Sequence, residues 1–320
     1  MTFAGSPGRA EARLVPDAGF ELDTFEISGL PREAGRDLAK ALLAAGKAPF
    51  ACRRILERRR PHVVLGGGGY VAGPMVVAAA SLRIPAALME ADARLGLANR
   101  LAGPFARRVF LAFPIAGHSG EKYRVTGRPV PARSAPVPRA EARARFDLPV
   151  EGQLLLVYGG SQGARSLNEL SVECFGKEGQ LVLHLSGERD YAELRPRVTS
   201  ETYRLLPFTH EFGAALAAAD LALARAGGSV FELAGAGTPA VLVPYPHATG
   251  DHQTLNARYF AEAGAAVLVP EAELGQVRGA VVDLLADTVR LHGMAAAMRR
   301  IARPEAADEI AEELIALARA

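Results

Sequence analysis

The sequence contains no tryptophan and only two cysteines among its 320 residues. Cys52 and Cys174 are too few for a disulfide scaffold or a cysteine-based zinc finger, and they suit a reducing compartment. The histidines form neither H-x-x-x-H nor H-E-x-x-H, so we expect no metal site. The N-terminus lacks a long apolar run behind a basic start, and we expect no signal peptide.

Long uncharged runs are also scarce, and the one that reaches membrane-spanning length covers residues 63–82. This run contains the four consecutive glycines 66–69 and Pro74, which would interrupt a spanning helix. A strand, a glycine loop and a buried helix explain the run better, so we expect no transmembrane segment.

The composition is that of an ordinary globular protein, 49% hydrophobic and 22% charged. A chain of this size usually divides into domains of about 150 residues each. Its charge is uneven, because residues 1–142 hold 21 Lys and Arg against 12 Asp and Glu, whereas residues 143–320 hold 16 against 23. The basic first half predicts an anionic partner, and nucleic acid, a membrane surface and a phosphorylated substrate all remain open.

Short apolar runs alternate with amphipathic or Ala-rich stretches, a pattern typical of βα repeats around a parallel sheet. The predicted strands are Val63–Leu65, Ala86–Met89, Val109–Ala112, Leu154–Tyr158, Leu181–Leu185, Leu221–Ala224, Ala240–Val243 and Ala266–Val269. Residues 128–138 contain four prolines, which exclude a helix interior or a central strand. We therefore predict an N-terminal domain at 1–130, a linker at 131–142, a C-terminal domain at 143–303 and a final helix at 304–320 that packs on the N-terminal domain.

A basic amphipathic segment lies near the N-terminus. Residues 31–60 carry nine Lys or Arg against three acidic residues, interleaved with apolar positions that include Leu43 and Phe50. Such a segment can lie on an anionic membrane. A solvated helix face gives the same pattern, so both interpretations stay open here.

Three predicted strands run into a glycine-rich turn and then a helix: VVLGGGGYVAGP (63–74), LLLVYGGSQGARSLNEL (154–170) and LALARAGGSVFELAGAG (221–237). Each junction would present free backbone N–H groups at a helix N-terminus, where the helix dipole also favours a phosphate. Glycine lets the phosphate approach the backbone closely. Three such junctions in one chain favour a nucleotide-type ligand.

Two other interpretations use the same residues. Residues 159–163 match the G-x-S-x-G elbow of an α/β hydrolase, with Ser161 as nucleophile and with Asp220 and His247 or His252 following in order. Residues 67–72 also fit a dinucleotide fingerprint, with Glu90 about twenty residues further on. Both are bare motif matches of low specificity.

Taken together, five segments resemble the MurG family, the peptidoglycan glycosyltransferases that add N-acetylglucosamine to a membrane-linked muramyl-peptide intermediate. Besides the three glycine junctions, these segments are ARLVPDAGFELDTFEISGL (12–30) and AEAGAAVLV (261–269), and the third junction continues as TPAVLVPYPHATGDHQTLNA to residue 257. All of them occur in the family's order. The resemblance implies an α/β GT-B fold, in which two Rossmann-like parallel-sheet domains face a cleft.

The resemblance also implies the reaction and the roles of individual residues. The donor would be UDP-N-acetylglucosamine, held mainly by the C-terminal domain, and the inverting transfer would need no metal or cofactor. Glu232 would bind the ribose hydroxyls, Gln253 would lie near the sugar, and Phe208 and Thr209 would flank the uracil. The full donor set would be Gly159, Gly160, Ser161, Gln162, Gly163, Asn168, Phe208, Thr209, Arg225, Gly227, Glu232, His252 and Gln253, with residues 159–163 at the diphosphate.

On the acceptor side, the resemblance implies that Glu90 is the catalytic base. Gly67, Gly68, Gly69, Tyr70 and Asn99 would lie in the acceptor site. The acceptor would be the lipid-linked muramyl-pentapeptide diphosphate, so that lipid I becomes lipid II. The basic N-terminal half would then face an anionic membrane as a peripheral protein on the cytoplasmic side of the plasma membrane, with no nucleic acid involved.

The sequence departs from the family in three places. About 35 residues of the family's layout, with a GGTGGH loop and a central strand, have no counterpart before Met1, so we expect a start site placed too late or a truncated chain. LMEAD at 88–92 replaces the usual HEQN, which leaves Glu90 as the obvious base. Pro131 stands where arginine is usual, and Arg133 is a candidate substitute. A related GT-B transferase with another acceptor, a hydrolase using Ser161 and a non-catalytic GT-B-like binding subunit remain alternatives.

Overall fold

The computed structural model describes residues 1–27, 35–135, 137–160, 163–177 and 179–319, without the side chains of 36–40 and 42. The chain folds as two compact units, of which unit 1 comprises Met1–Thr126 and Asp308–Ala320 and unit 2 comprises Gly127–Ala307. The boundary between Thr126 of unit 1 and Gly127 of unit 2 therefore lies before the proline-rich residues 128–138. The described part of residues 131–142 groups with unit 2, and the linker at 131–142 stays a prediction.

Unit 1 contains two parallel sheets. Its elements are β1 (Phe3–Gly5), α1 (Glu11–Asp17), β2 (Leu22–Thr24), α2 (Arg36–Arg59), β3 (Val64–Gly66), α3 (Gly69–Ser81), β4 (Ala86–Glu90), α4 (Leu97–Ala102), β5 (Arg108–Leu111) and β6 (Tyr123–Val125). Strands β1 and β2 pair with each other, and the second sheet has the order β3-β4-β5-β6. Helix α3 contacts both α2 and α4, and its buried residues are small or apolar, such as Ala72, Val76 and Ala79.

The last helix of the chain, α13 (Ala306–Arg319), covers part of the second sheet of unit 1. Its Ile310 and Leu317 lie on one face, two turns apart, and pack with Ala87 of β4 and Phe110 of β5. Burial of this apolar stripe explains why the amphipathic sequence after Pro304 forms a stable helix.

Unit 2 is a six-stranded parallel sheet with helices. Its elements are α5 (Arg139–Ala144), β7 (Leu154–Tyr158), α6 (Arg165–Phe175), β8 (Leu181–Leu185), α7 (Glu188–Leu194), β9 (Tyr203–Leu206), α8 (Phe212–Ala218), β10 (Leu221–Ala224), α9 (Val230–Ala236), β11 (Ala240–Leu242), α10 (His252–Glu262), β12 (Ala266–Leu268), α11 (Val277–Ala286) and α12 (Thr288–Ile301). The strand order β12-β11-β10-β7-β8-β9 is that of a Rossmann fold, with its switch point between β7 and β10. Every residue of β7 and β10 is buried, as expected for parallel strands covered on both faces.

One end of this sheet is fixed by a buried arginine. Arg143 of α5 is fully buried, and its guanidinium donates to the carbonyl oxygens of Pro149, Glu151 and Gly152 and to the Asp220 carboxylate. Asp220 also accepts from the Leu154 N–H at 2.7 Å. Both residues therefore lie at the amino ends of β7 and β10, away from the loops at the opposite edge.

The eight predicted strands are present to within one residue at each end, and the expected strand, glycine loop and helix at 63–82 are confirmed as β3 and α3. The Rossmann-like parallel-sheet units are also confirmed. Four strands are absent from the predicted set, namely β1, β2, β6 and β9. All four are short, and the last three carry the charged residues Asp23, Arg124 and Arg204. Among the described helices, none has the length and apolarity required to cross a bilayer.

Candidate active site

The carboxyl ends of β7 and β10 place two of the three glycine junctions side by side in unit 2. These strands are hydrogen-bonded neighbours and run parallel, so the segments that follow Tyr158 and Ala224 leave the same edge of the sheet. Ligands of open α/β sheets bind in the crevice at such a switch point. This edge of unit 2 is therefore the candidate nucleotide site.

The first of these junctions is a tight turn against the start of α6. The Gly163 N–H donates to the Gly160 carbonyl oxygen at 3.0 Å, and both glycines have positive φ. A Cβ on Gly159 would lie 2.3 Å from the Ala164 Cβ, and one on Gly163 would lie 2.4 Å from the Ser186 carbonyl oxygen. Glycine is required at both positions by close packing. Ser161 and Gln162, predicted to bind the diphosphate, lie outside the described residues.

Asn168 supports this turn from within the core. Its side chain is fully buried, and its amide nitrogen donates to the Ser186 carbonyl oxygen at 2.8 Å and to the Asp190 carboxylate at 2.9 Å. Since Ser186 is also the residue that Gly163 packs against, Asn168 fixes the turn from behind. The side chain of this predicted donor-site residue is therefore engaged within the core and is not exposed.

A buried histidine completes the Asn168 network. His184 of β8 lies between the Asn168 side-chain oxygen, at 3.0 Å, and the Tyr203 hydroxyl, at 2.7 Å. Burial lowers the pKa of His184 to about 3, so the ring is neutral at physiological pH. The neutral ring donates to Asn168 and accepts from Tyr203, which satisfies both of its nitrogens.

Arg225, which follows β10, is held inside the protein. It is only 7% exposed, and its guanidinium donates to both carboxylate oxygens of Glu271, to the Ser166 hydroxyl and to the Val243 carbonyl oxygen. Burial alone would raise the pKa of Glu271, but the hydrogen bonds from Arg225 and Ser166 hold it below its ordinary value. Sequence reasoning missed Glu271, since no motif contains it.

The loop after β11 brings Gln253 to the third junction. The Gln253 side-chain oxygen accepts the Tyr245 N–H at 2.9 Å, and its nitrogen would lie 3.8 Å from a Cβ on Gly227. Asn256, one helical turn further along α10, donates to the Ala226 carbonyl oxygen at 3.0 Å and is fully buried. Sequence reasoning also missed Asn256, although its i,i+4 spacing from His252 in HQTLN places both residues on one side of a helix.

His252 begins α10, and its side chain contacts the preceding loop, because its Nδ1 lies 2.9 Å from the Thr249 carbonyl oxygen.

Gly228 of the third glycine junction packs against the guanidinium of an arginine. A Cβ on Gly228 would lie 1.9 Å from Nη1 of Arg128, whereas Arg133 is an exposed residue. Of these two arginines, Arg128 therefore has its guanidinium at the third junction.

Glu232, the predicted ribose ligand, lies in the first turn of α9 and is partly exposed. Its Oε1 accepts a hydrogen bond of 2.5 Å from the Ser134 hydroxyl.

Phe208, the predicted uracil neighbour, is exposed and stacks edge-on with His210, with 5.0 Å between the ring centroids. The Thr209 hydroxyl accepts the Glu211 N–H at 3.0 Å, which turns the chain into α8.

The acceptor residues of unit 1 form a separate cluster. Glu90 ends β4 and is buried, and its Oε2 accepts from the Gly96 N–H at 2.8 Å and from the Asn99 side chain at 2.9 Å. Its Oε1 accepts the Asp92 N–H at 3.3 Å. The structure thus joins two of the predicted residues, Glu90 and Asn99, and fixes the direction of the carboxylate. The Asn99 side-chain oxygen has no hydrogen-bond partner among the described residues.

The first glycine junction, also in unit 1, precedes α3. Gly68 and Gly69 have φ values of +96° and +70°, which glycine adopts without strain. Gly67 and Tyr70, two of the predicted acceptor-side residues, are exposed. The ring of Tyr70 thus faces solvent.

The hydrolase interpretation is wrong. Asp220 precedes β10 and is held by Arg139 and Arg143 at the amino edge of the sheet, whereas residue 161 follows the carboxyl end of β7. A triad requires its acid, histidine and nucleophile within hydrogen-bond reach, whereas Asp220 and Gly160, the last described residue before Ser161, lie at opposite ends of neighbouring parallel strands.

Comparisons with known proteins agree with this geometry. The family model described as glycosyltransferase family 28 C-terminal domain matches residues 154–313, and the corresponding N-terminal domain matches residues 2–111. A relative from Rubrobacter xylanophilus is 40% identical over 100% of this chain and 96% of its own length. One from Pseudomonas putida is 38% identical over 97% of this chain and 88% of its own length. Both are named UDP-N-acetylglucosamine–N-acetylmuramyl-(pentapeptide) pyrophosphoryl-undecaprenol N-acetylglucosamine transferase.

Among solved structures, MurG from Acinetobacter baumannii is similar with a TM-score of 0.79 and 29% identity, covering 98% of this chain and 90% of that one. The calicheamicin glycosyltransferase CalG4 has a TM-score of 0.68 at 18% identity over 98% of this chain and 90% of its own, which indicates a shared fold alone. On these matches, the chain belongs to glycosyltransferase family 28 and, within it, to the MurG family.

Proposed function

We propose that this chain transfers N-acetylglucosamine from UDP-N-acetylglucosamine to the lipid-linked muramyl-pentapeptide, the step from lipid I to lipid II in peptidoglycan synthesis. The observation that carries the proposal is the pair of glycine junctions at the switch point of unit 2, in a chain of this family. The relatives carry this activity in their names.

The donor diphosphate binds at the turn of residues 159–163 and the first turn of α6, an eleven-residue helix whose N-terminal N–H groups favour negative charge. Glu232 accepts the ribose hydroxyls, Phe208 and Thr209 flank the uracil, and Gln253 lies near the sugar. Asn168 and Arg225 contribute by holding the backbone of these loops.

The reaction is an inverting displacement. The acceptor hydroxyl attacks C1 of N-acetylglucosamine, the C1–O bond to UDP breaks, and the electron pair leaves with the diphosphate. The N–H groups of α6 stabilise the negative charge on departing UDP without a metal or other cofactor. Glu90 takes the proton of the acceptor hydroxyl as general base, with its carboxylate oriented by Gly96 and Asn99.

Unit 1 meets an anionic membrane through two apolar and basic faces. On α2, Leu43 and Phe50 are exposed and alternate with the exposed Lys47 and Arg54 at helical spacing. Residues 28–34, and the side chains of 36–40 and 42, lie outside the described part of this segment. Basic amphipathic helices of this kind bind the surface of anionic bilayers.

The second face belongs to α4 and the turn that follows it. Leu97, Leu101 and Phe105 are each at least half exposed, and Arg100 and Arg107 are exposed beside them. The buried Asn99 of the same helix holds Glu90, so α4 links the membrane face to the acceptor site. The chain then acts as a peripheral protein on the cytoplasmic face of the plasma membrane, where its lipid-linked acceptor is located.

Calorimetric titration of UDP-N-acetylglucosamine without added metal tests the donor half of this proposal. We expect saturable binding, and transfer of labelled N-acetylglucosamine to lipid I in anionic vesicles tests the rest. A folded protein that neither binds the donor nor transfers the sugar contradicts the proposal. Binding with transfer only to a different acceptor would keep the donor site and replace the acceptor.

A further inference from the structure

The proline-rich stretch that resembles a linker contains a residue in direct contact with the proposed ribose ligand. Ser134 ends the short 3-10 turn Ala132–Ser134 and is only 2% exposed. Its hydroxyl donates to Oε1 of Glu232 at 2.5 Å across 98 positions of sequence. A neutral hydroxyl on a carboxylate forms a strong, charge-assisted hydrogen bond.

The backbone of this turn is fixed on both sides. The Ser134 N–H donates to the Pro131 carbonyl oxygen at 2.8 Å, which closes the turn. On the other side, Gly213 of α8 packs so closely that a Cβ there would lie 2.7 Å from the Ala135 carbonyl oxygen and 2.8 Å from the Ser134 carbonyl carbon. Backbone contacts on both sides therefore fix the position of Ser134 and of its hydroxyl.

A fixed hydroxyl has a direct effect on Glu232. A glutamate on the first turn of a helix can adopt several rotamers, and ordering it on binding costs conformational entropy. The bond from Ser134 removes much of that freedom before the ligand arrives. It still leaves Oε2, and the second lone pair of Oε1, to accept the two hydroxyls of a ribose.

We propose that Ser134 is a positioning residue for nucleoside recognition, which orients Glu232 toward the 2′- and 3′-hydroxyls of the donor ribose. The inference rests on the proposed function, because it assigns the ribose to Glu232. It extends the donor site into residues 131–135, and α8, which holds this turn, follows directly on Phe208 and Thr209 at the proposed uracil site.

The test compares two ligands rather than one, because general loosening of the fold would weaken both. UDP and 2′,3′-dideoxy-UDP are titrated by calorimetry into the unaltered chain and into Ser134→Ala, Glu232→Gln and the double variant. Ser200→Ala, a partly exposed serine of the same unit whose hydroxyl contacts Thr202 rather than Glu232, serves as the matched control. Thermal unfolding of each variant checks that it is folded.

We expect the unaltered chain to prefer UDP over the dideoxy ligand by about 10- to 100-fold, the range for hydrogen bonds to a charged group. Ser134→Ala should weaken UDP binding about 5- to 10-fold and leave dideoxy-UDP binding unchanged, and it should add nothing to Glu232→Gln. Equal weakening of both ligands, or no change, overturns the proposal. If the unaltered chain binds both ligands equally, the positioning role fails while the donor site stands. If it binds neither ligand, the proposed function fails as well.

Discussion

Glu271 accepts hydrogen bonds from the guanidinium of Arg225 on both of its carboxylate oxygens, 46 positions apart in the sequence. Through Arg225, this pair ties together the Ser166 hydroxyl of α6 and the backbone after β11. Arg225, at the end of β10, thus holds together the loops of the proposed donor site. Glu271 compensates most of its positive charge before any ligand binds.

Removal of this carboxylate should therefore affect stability and donor binding together. Glu271→Gln is expected to lower the free energy of unfolding by about 2 kcal/mol, since it leaves a largely buried guanidinium without its counter-charge. It should also weaken UDP-N-acetylglucosamine binding several-fold. Urea unfolding and calorimetry measure both effects. Glu169→Gln, whose partner Arg165 is exposed, is the control and should change stability by less than about 0.5 kcal/mol.

The same pair predicts a pH effect. Because the folded-state pKa of Glu271 is lowered from 4.5, its stabilising contribution is present above pH 4.5 and is lost as the pH falls through the folded value. Glu271→Gln should therefore flatten this part of the stability profile. If the stability of the unaltered chain and that of Glu271→Gln fall in parallel below pH 4.5, Glu271 does not contribute to the pH dependence.

His184 predicts a separate effect at higher pH. Its pKa is lowered from 6.5 to about 3, so between these values the unfolded chain binds a proton that the folded protein does not. The free energy of unfolding should then decrease by about 2 kcal/mol from pH 7 to pH 5. His184→Gln should remove this slope in urea unfolding, and His292→Gln, at an exposed position of α12, should retain it. A slope that survives in His184→Gln contradicts the assignment.

Substitutions of Gly160 and Gly163, in the glycine junction that follows β7, can be compared as a matched pair. Gly160→Ala introduces a Cβ that has no atom of the described residues within 4 Å, and it should cost about 1 kcal/mol for its positive φ alone. Gly163→Ala adds a clash at 2.4 Å from the Ser186 carbonyl oxygen and should cost about 3 kcal/mol and abolish most donor binding. Equal stability of the two variants in urea would contradict this packing.

Arg128 and Arg133 provide another matched comparison. Arg128 has its guanidinium against Gly228 at the third junction, whereas Arg133 is exposed. Arg128→Ala is expected to raise the KM for UDP-N-acetylglucosamine about tenfold, because it removes a cation from the edge of the sheet where we propose that the donor diphosphate binds. Arg133→Ala should leave KM within about twofold. A larger effect at Arg133 would reverse the assignment.

Glu90→Gln tests the base. Turnover should fall by about 100-fold or more, the usual contribution of general base catalysis, while donor affinity in unit 2 is retained. Because the new amide would face the N–H groups of Gly96 and Asp92, thermal unfolding must be measured alongside turnover. Unchanged turnover would assign the base elsewhere.

The sheets were predictable from sequence because parallel strands buried on both faces leave uninterrupted apolar runs, such as LLLVY at 154–158. The glycine junctions were predictable for a similar reason, since backbone geometry restricts these positions to one residue type. The contacts of Glu271 and Ser134 were not, because they join residues 46 and 98 positions apart and exist only in the folded chain. Prolines excluded a helix interior and a central strand at 128–138 but could not distinguish a linker from the packed 3-10 turn Ala132–Ser134.

Unit 1 is discontinuous in sequence, since its first 126 residues are completed by residues 308–320. During synthesis, the apolar patch of Ala87 and Phe110 emerges from the ribosome well before Ile310 and Leu317, which cover it. Unit 2 is continuous over Gly127–Ala307, so all of its strands emerge before Ile310 and Leu317 do. We therefore expect unit 2 to complete its native structure before residues 308–320 cover this patch, and the nascent unit 1 to be the part that depends on chaperones until then.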